Sequence, residues 1–304
     1  MSDLRVPPKA LTTQQVRKFD EDGFLIGLPA ISVEEAQQFR AELEAAEAKQ
    51  GESSNTFLLE GHTRWPFMHK LVTSPAILDA VQDLIGPNLL IWDAQAFVKE
   101  PQTPSFISWH QDTNYWGLDP DDGIVTAWVA LSDVTAENGP MEFLRGSHME
   151  PLRAQEDTYE RTNMLSRGQE IVWEKPIDPN EVHQVILRPG QFSLHHVRLA
   201  HKSGPNQGSD RRIGIAIRFM PPHTRPMLGQ DCAMLVRGED TYGHFLPEAP
   251  PKAPEDPEAV SQYERTRRLK AQNYMQDADE QRSAERARAV AEVNVPAHLR
   301  AAKL

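Results

Sequence analysis

Residues 106–113, FISWHQDT, set an imidazole, His110, two positions from a carboxylate, Asp112. On an extended strand such residues point to one face. One histidine and one carboxylate make two-thirds of the facial triad that holds non-haem Fe(II) while leaving positions open for oxygen chemistry. Alone the pair carries little weight, because with 11 His in 304 residues a His-x-Asp arises by chance on the order of once per chain. A third ligand has to come from another strand. The densest supply is GQFSLHHVRLAHKSG, with His195, His196 and His201. In a strand without a bulge, His195 and His201 share a face and His196 does not. Ten and eleven residues after His201 stand Arg211 and Arg212. An arginine there could supply a bidentate donor for the carboxylate of an organic-acid cosubstrate.

Strand alternation separates the two arginines. In RRIGIAIRFM, Ile213, Ile215, Ile217 and Phe219 share one face, whereas Arg212, Gly214, Ala216 and Arg218 share the other. The isoleucine face is the packed one. Arg212 therefore heads a face of small residues turned toward an interior, with Arg218 a second inward arginine able to meet a substrate anion. Arg211 belongs with the packed face or its solvent edge.

Around these residues the chain divides by texture. Thr12 or Thr13 caps a helix through Val16 and Phe19 that Gly23 ends, and a short strand at 24–26 follows. Ser32 and Glu35 have capping-box spacing at the head of a surface helix reaching Lys49, stopped by Gly51. Residues 74–85 repeat the pattern, with Pro75 at the first helical position and an apolar stripe of Ile77, Val81, Leu84 and Ile85. From Leu89 the pattern changes to short apolar or alternating runs: LLIWDAQAFVK, FISWHQD, IVTAWVAL, GPMEFLRG, HQVILRPG, QFSLHHV and RRIGIAIRFM. Strands at this spacing predict a sandwich or barrel. Residues 147–181 read as a long charged insertion, a lid or specificity element. Residues 247–257 read as a linker, and 258–292 as a polar helical tail that packs round the barrel or serves as a partner-binding arm. Asn138, Gly139 and Pro140 form a turn.

Composition bounds the classes. A hydrophobic share of 39% with 25% charged residues describes an ordinary globular chain. One domain is the default: a helical region over 10–86, a barrel over about 87–222, and a linker with helical tail over 247–304. A net charge of -12 without a basic run disfavours nucleic acid. No apolar stretch has the length of a membrane span, and the N-terminus lacks a secretion-signal pattern. The single Cys232 excludes multi-Cys metal sites and suits a cytoplasmic protein.

The order WHQD, then AWVALSDVTAENGPMEFLRGSH, then FSLHHVRLAHKSGPNQGSDRR, resembles the phytanoyl-CoA dioxygenase (PhyH-like) family of Fe(II)/2-oxoglutarate oxygenases over roughly residues 19–219. The resemblance implies a mainly β fold, a double-stranded β-helix (jelly-roll, cupin-like) barrel with helices outside. It implies iron on His110, Asp112 and His201, with a structural histidine at His196, and 2-oxoglutarate anchored by Arg212. Trp128 and Ser203 are then expected to line the cosubstrate site, with Lys99 and Gln95 on a neighbouring strand. The implied reaction consumes O2 and 2-oxoglutarate, releases succinate and CO2, and hydroxylates or otherwise oxidises a C–H bond. Relatives that halogenate replace the carboxylate, so Asp112 favours oxygenation. One departure is Lys202, where the family often has glycine.

Other readings compete for the same residues. Trp128 serves core packing as readily as a cosubstrate contact. Trp109 and Trp116 flank the metal pair and are candidates for the substrate pocket. His195 reads as a packed or supporting histidine, and His62, His69, His223, His244 and His298 as structural or solvated. The rival functions are a non-catalytic metal-binding jelly roll with a partner-binding tail, and a cupin-type hydrolase or isomerase that needs no ketoacid. The expected partner is a small-molecule metabolite or natural-product intermediate, with homo-oligomerisation left open.

Overall fold

A computed structural model describes residues 9–300; residues 1–8 and 301–304, the ends of the expected single domain, lie outside the described residues. The N-terminal third is helical, as its capping signals dictate. Helix α1 (Thr13–Asp22) is capped by Thr12, whose hydroxyl accepts from the Gln15 amide while the Gln15 side chain accepts from the Thr12 amide. Gly23, at φ +85, ends it in the left-handed conformation and turns the chain into β1 (Phe24–Pro29). Helix α2 (Val33–Gln50) has the same box between Ser32 and Glu35. It is not a simple surface helix, because Ala36, Phe39, Leu43 and Glu47 are buried. Short α3 (Ser54–Phe57) and α4 (Pro66–Val72) lead to α5 (Pro75–Ile85), which has proline in its first turn.

The β region begins with β2 (Leu89–Lys99) and β3 (Ile107–His110), separated by α6 (Thr113–Trp116) from β4 (Leu118–Asp119), β5 (Val125–Ala130) and β6 (Met141–Leu144). After β7 (Gln155–Asp157), β8 (Gln169–Ile171) and β9 (Val182–Gln184) come β10 (Gln191–His196), β11 (His201–Ser203) and β12 (Arg212–Met220). Strands β13 (Arg225–Pro226), β14 (Cys232–Arg237) and β15 (Leu246–Pro247) complete it. Seven strands form one sheet in the order β1-β10-β5-β12-β2-β14-β15, and four form a second in the order β3-β11-β6-β9. The chain changes sheet at turns such as 197–200, and no ladder among the described residues joins the two sheets. The jelly roll is a pair of facing sheets flanked by helices, without the closed barrel expected.

Strand β12 shows why the layers assemble. Ile213, Ile215, Ile217 and Phe219 pack outward with Phe39, Leu43, Ile77 and Val81 of α2 and α5. Burying each such side chain stabilises the fold by roughly 1.5–3 kcal/mol. Between the sheets Trp128 and Ala216 join Phe24 and Phe143 in a second cluster. Arg211, on the packed side, is buried in an ion cluster, with Nε donating to Glu100 at 2.8 Å and an Nη to Glu47 at 2.9 Å. The 147–181 insertion contains the β7–β8 hairpin. Beyond 247–257 the tail forms α7 (Pro257–Tyr274), α8 (Glu280–Val293) and α9 (Ala297–Arg300), packed on the body and not free as an arm. Tyr263 of α7 lies in the main core, its hydroxyl donating to the Phe57 carbonyl at 2.7 Å.

Candidate metal centre and the cavity around it

Three buried groups converge between the sheets: His110, Asp112 and His201 offer ligand atoms that all lie within 4.8 Å of one another. His110 ends β3 and His201 begins β11, and the antiparallel register pairs them directly, with ring centroids 4.0 Å apart. Asp112 arrives differently from the strand-face expectation. The strand stops at His110, and Asp112 has αR dihedrals at the head of α6. Its carboxylate folds back to place Oδ1 3.3 Å from His110 Nε2. A tight turn, not strand alternation, joins the two ligands.

Backbone carbonyls set the tautomers. His110 Nδ1 donates to the Ser108 carbonyl at 2.9 Å, and His201 Nδ1 to the Leu199 carbonyl at 2.9 Å. A carbonyl only accepts, so each Nδ1 carries hydrogen and each Nε2 is the nitrogen left to face a metal, the orientation a metal-binding histidine needs. Burial holds His201 down to about 4, where it stays unprotonated at neutral pH. Burial alone would raise Asp112, but the His110 contact, with His201 and Arg218, holds its carboxyl below the usual carboxylate range. Two imidazoles and one carboxylate, converging between the sheets, therefore fit a divalent iron. His195 was expected to share a strand with His201, yet it lies on β10 in the other sheet and meets His201 across the gap at 4.8 Å. His196 turns away toward His148 and the Asp122 carbonyl.

A cavity of about 690 Å³ surrounds the triad. Arg212 projects into it fully buried, and its Nε and one Nη have no partner among the described residues. Burial pushes it down to about 10. Its ring neighbour is Trp128, with the guanidinium 5.1 Å from the indole centroid. Gly214 makes this possible, since a Cβ there would lie 1.8 Å from Trp128. The space that the small-residue face leaves is thus partly filled by the indole, which is core and cavity wall at once. Lys99, opposite Arg212 in the register, donates to the Ser203 carbonyl at 3.0 Å and hydroxyl at 2.6 Å. Burial, then the Arg212 charge, lowers its pKa well below normal. Two basic groups stand here without a carboxylate partner among the described residues, which suits an anion.

The remaining candidates separate. Gln95 lies beside Arg218, whose Nη atoms reach its amide oxygen at 3.1 and 3.0 Å in the amide orientation that satisfies both. Arg218 also donates to Asp93 at 3.1 Å and sits over Trp116 at 5.5 Å. Trp116 lines the cavity and packs against Trp92, centroids 4.8 Å apart. Trp109 is a correction: it does not line the cavity but points outward, edge-on to Trp173 and beneath Lys202. The residue before an inward strand residue faces the other way.

The sequence reading missed the cavity's roof. Lys270 and Tyr274 of α7, with Arg286 of α8, line the side away from Arg212. Arg286 donates to the Ser166 and Asn163 carbonyls at 2.9 and 2.6 Å, tying the tail to the insertion. Tyr263, Thr266, Lys270 and Tyr274 form one helical stripe at three- and four-residue spacing. That stripe was readable, but its polar members hid it from an apolar-pattern search.

The family model described as phytanoyl-CoA dioxygenase (PhyH) matches residues 11–214, which include the triad and Arg212. The chain belongs to the phytanoyl-CoA dioxygenase family. It is an iron(II)- and 2-oxoglutarate-dependent dioxygenase of that family. A probable alpha-ketoglutarate-dependent hypophosphite dioxygenase of Stutzerimonas stutzeri is 29% identical over 259 residues, 80% of this chain and 85% of that protein. Peroxisomal phytanoyl-CoA dioxygenase of Rattus norvegicus is 25% identical over 69% of this chain and 68% of its own length. Among solved structures, the non-heme monooxygenase ThoJ in its apo form superposes with a TM-score of 0.75 at 33% identity, covering 90% of this chain and 98% of that one. CytC3 with Fe(II) and alpha-ketoglutarate, at 20% identity and a TM-score of 0.60, covering 81% of this chain and 99% of that one, shares the fold. Helices α7 and α8 lie beyond the residues matched by this PhyH-family model. No described helix is long and apolar enough to cross a membrane.

Proposed function

We propose that the chain oxidises a C–H bond of a small metabolite or natural-product intermediate, by hydroxylation or a related outcome, with release of succinate and CO2. The carrying observation is the buried Arg212 guanidinium, its Nε and one Nη unpartnered among the described residues, in the same cavity as the His110, Asp112 and His201 triad. When bound, iron and 2-oxoglutarate supply oxidative decarboxylation coupled to substrate oxidation. His110, Asp112 and His201 hold the metal through one face. Arg212 pairs with the distal carboxylate of 2-oxoglutarate, and Trp128 walls that end. Lys99 positions this site through Ser203. Gln95 acts at one remove by orienting Arg218, which with Trp116 faces the substrate. The roof of α7, α8 and residues 164–166 excludes water.

The relatives' names span hypophosphite and phytanoyl-CoA, so no substrate carries over from them. The cytoplasm is the proposed location, supported by the buried free thiol of Cys232. The test is aerobic incubation of iron-loaded protein with 2-oxoglutarate and a metabolite panel, reading succinate. Substrate-dependent succinate that disappears in Arg212→Leu supports the reading. Turnover of any substrate that persists in Arg212→Leu without 2-oxoglutarate favours the cupin-type hydrolase or isomerase instead.

A further inference from the structure

His195 is buried at 2% exposure on β10, the strand next to the β1 edge of the seven-stranded sheet, between Phe143 at 5.1 Å and His201 at 4.8 Å, and neither ring nitrogen has a hydrogen-bond partner among the described residues. A wholly buried imidazole with both nitrogens unsatisfied is an unusual use of a core position. Its nearest carboxylate is the iron ligand: Nε2 stands 4.0 Å from Asp112 Oδ2. The opposite oxygen, Oδ1, faces His110 Nε2 at 3.3 Å. Once His110 Nε2 is engaged by metal, that nitrogen no longer serves Asp112. Oδ2 then faces His195 Nε2, a ring nitrogen that makes no other hydrogen bond among the described residues. Of the cations nearby, Lys99 is engaged by Ser203, and Arg218 is engaged through its Nη atoms by Asp93 and Gln95 while its Nε is left free to add charge toward Asp112.

Resting on the iron-site reading, we propose that His195 is a positioning residue that donates from Nε2 to Asp112 Oδ2 when iron is bound. The bond holds Asp112 to one-oxygen ligation. A carboxylate free to swing would bring Oδ2 onto the metal and take a position that 2-oxoglutarate or oxygen needs. His195 reaches the oxygen facing away from His110 and stands outside the group of three mutually close ligand atoms. That geometry assigns it to the carboxylate and not to the metal. Partners that orient a ligating side chain commonly contribute 10–100-fold to metal affinity.

The experiment titrates metal-free protein anaerobically with Fe(II), then adds 2-oxoglutarate and reads the visible charge-transfer band of the chelate. His195→Gln keeps an N–H donor at about the same reach, whereas His195→Phe fills the ring's space without one. His195→Phe is expected to bind Fe(II) about 10–100-fold more weakly and to give a weakened or shifted band. His195→Gln is expected to restore both to within about 3-fold, and melting of the metal-free proteins to stay close to wild type. The proposal is overturned if His195→Phe binds Fe(II) and gives the band like wild type. It is equally overturned if both His195 variants lose Fe(II) as completely as His110→Ala, which would make His195 a fourth ligand. Wild-type Fe(II) affinity in His110→Ala would instead bring down the underlying triad reading.

Discussion

The two ends of the cavity are built on opposite principles. At the iron end, buried polar groups are left without partners: Arg212 Nε and Nη, both nitrogens of His195, and the Thr126 hydroxyl. At the roof, the protein sets carboxylates and carbonyls beside its own cations, although Lys270 Nζ and Glu60 Oε2 make no hydrogen bond among the described residues. Arg286 is bound to two carbonyls, Lys270 lies 3.4 Å from Asp231 and 3.9 Å from Glu60 above the Trp92 ring, and Trp92 Nε1 donates to Asp231 at 2.7 Å. Burial, then Asp93, pushes the Glu60 carboxyl well above its ordinary range. Unsatisfied buried groups cost stability, and they persist where a ligand completes them. The iron end is therefore prepared for cofactors. The roof is a structural closure that shapes the remaining space.

The sharpest way to break this contrast is at the triad. His110→Ala or Asp112→Ala should abolish measurable Fe(II) binding and succinate formation while leaving the circular-dichroism spectrum intact; binding retained in both would end the comparison. Next come the adjacent arginines, which differ only in strand face. Arg211→Leu leaves Glu47 and Glu100 buried without their cation and should destabilise the protein by about 3–5 kcal/mol in urea unfolding. Arg212→Leu removes a charge that nothing answers. Its melting temperature should equal or exceed wild type, while calorimetric 2-oxoglutarate affinity falls about 100-fold, as expected for a lost charged pair.

A smaller effect is expected at the roof. Lys270→Met keeps an apolar stem over Trp92, so Fe(II) and 2-oxoglutarate affinities should stay within about 3-fold of wild type. What should change is the ratio of succinate formed to substrate oxidised. An equal loss of cofactor binding would show that the two ends are not separable. The smallest effect lies behind the iron end, at His196. Burial, then His148, brings its pKa to about 4, against an unfolded value near 6.5. Between these values the unfolded chain binds more protons, so stability rises with pH. The contribution is fully present above about pH 6.5 and is lost as pH falls toward 4, at most about 3 kcal/mol. Urea midpoints at pH 7 and 4.5 should therefore converge more in His196→Phe than in wild type.

Much of the iron end was legible because its rules are local. The capping boxes at Thr12 and Ser32, the outward isoleucines of β12, and the inward Arg212 follow from helical and strand periods that a linear chain displays. The roof was not legible, because Lys270 and Tyr274 reach the cavity through contacts across more than 100 residues with the insertion and β2. Trp109 was assigned to the pocket by its closeness to His110 in sequence, whereas strand alternation turns it away.

By itself, then, the sequence determined the kinds of ligand available, two imidazoles and a carboxylate with an arginine in reach, and the elements that carry them. Residue type sets donor chemistry, and hydrophobic period sets which face is buried. Only the tertiary structure decided that Asp112 turns back at the head of α6, that His195 comes from the opposite sheet, and that the tail closes the cavity. Those outcomes depend on how separate elements pack in three dimensions, which no spacing along one chain encodes locally.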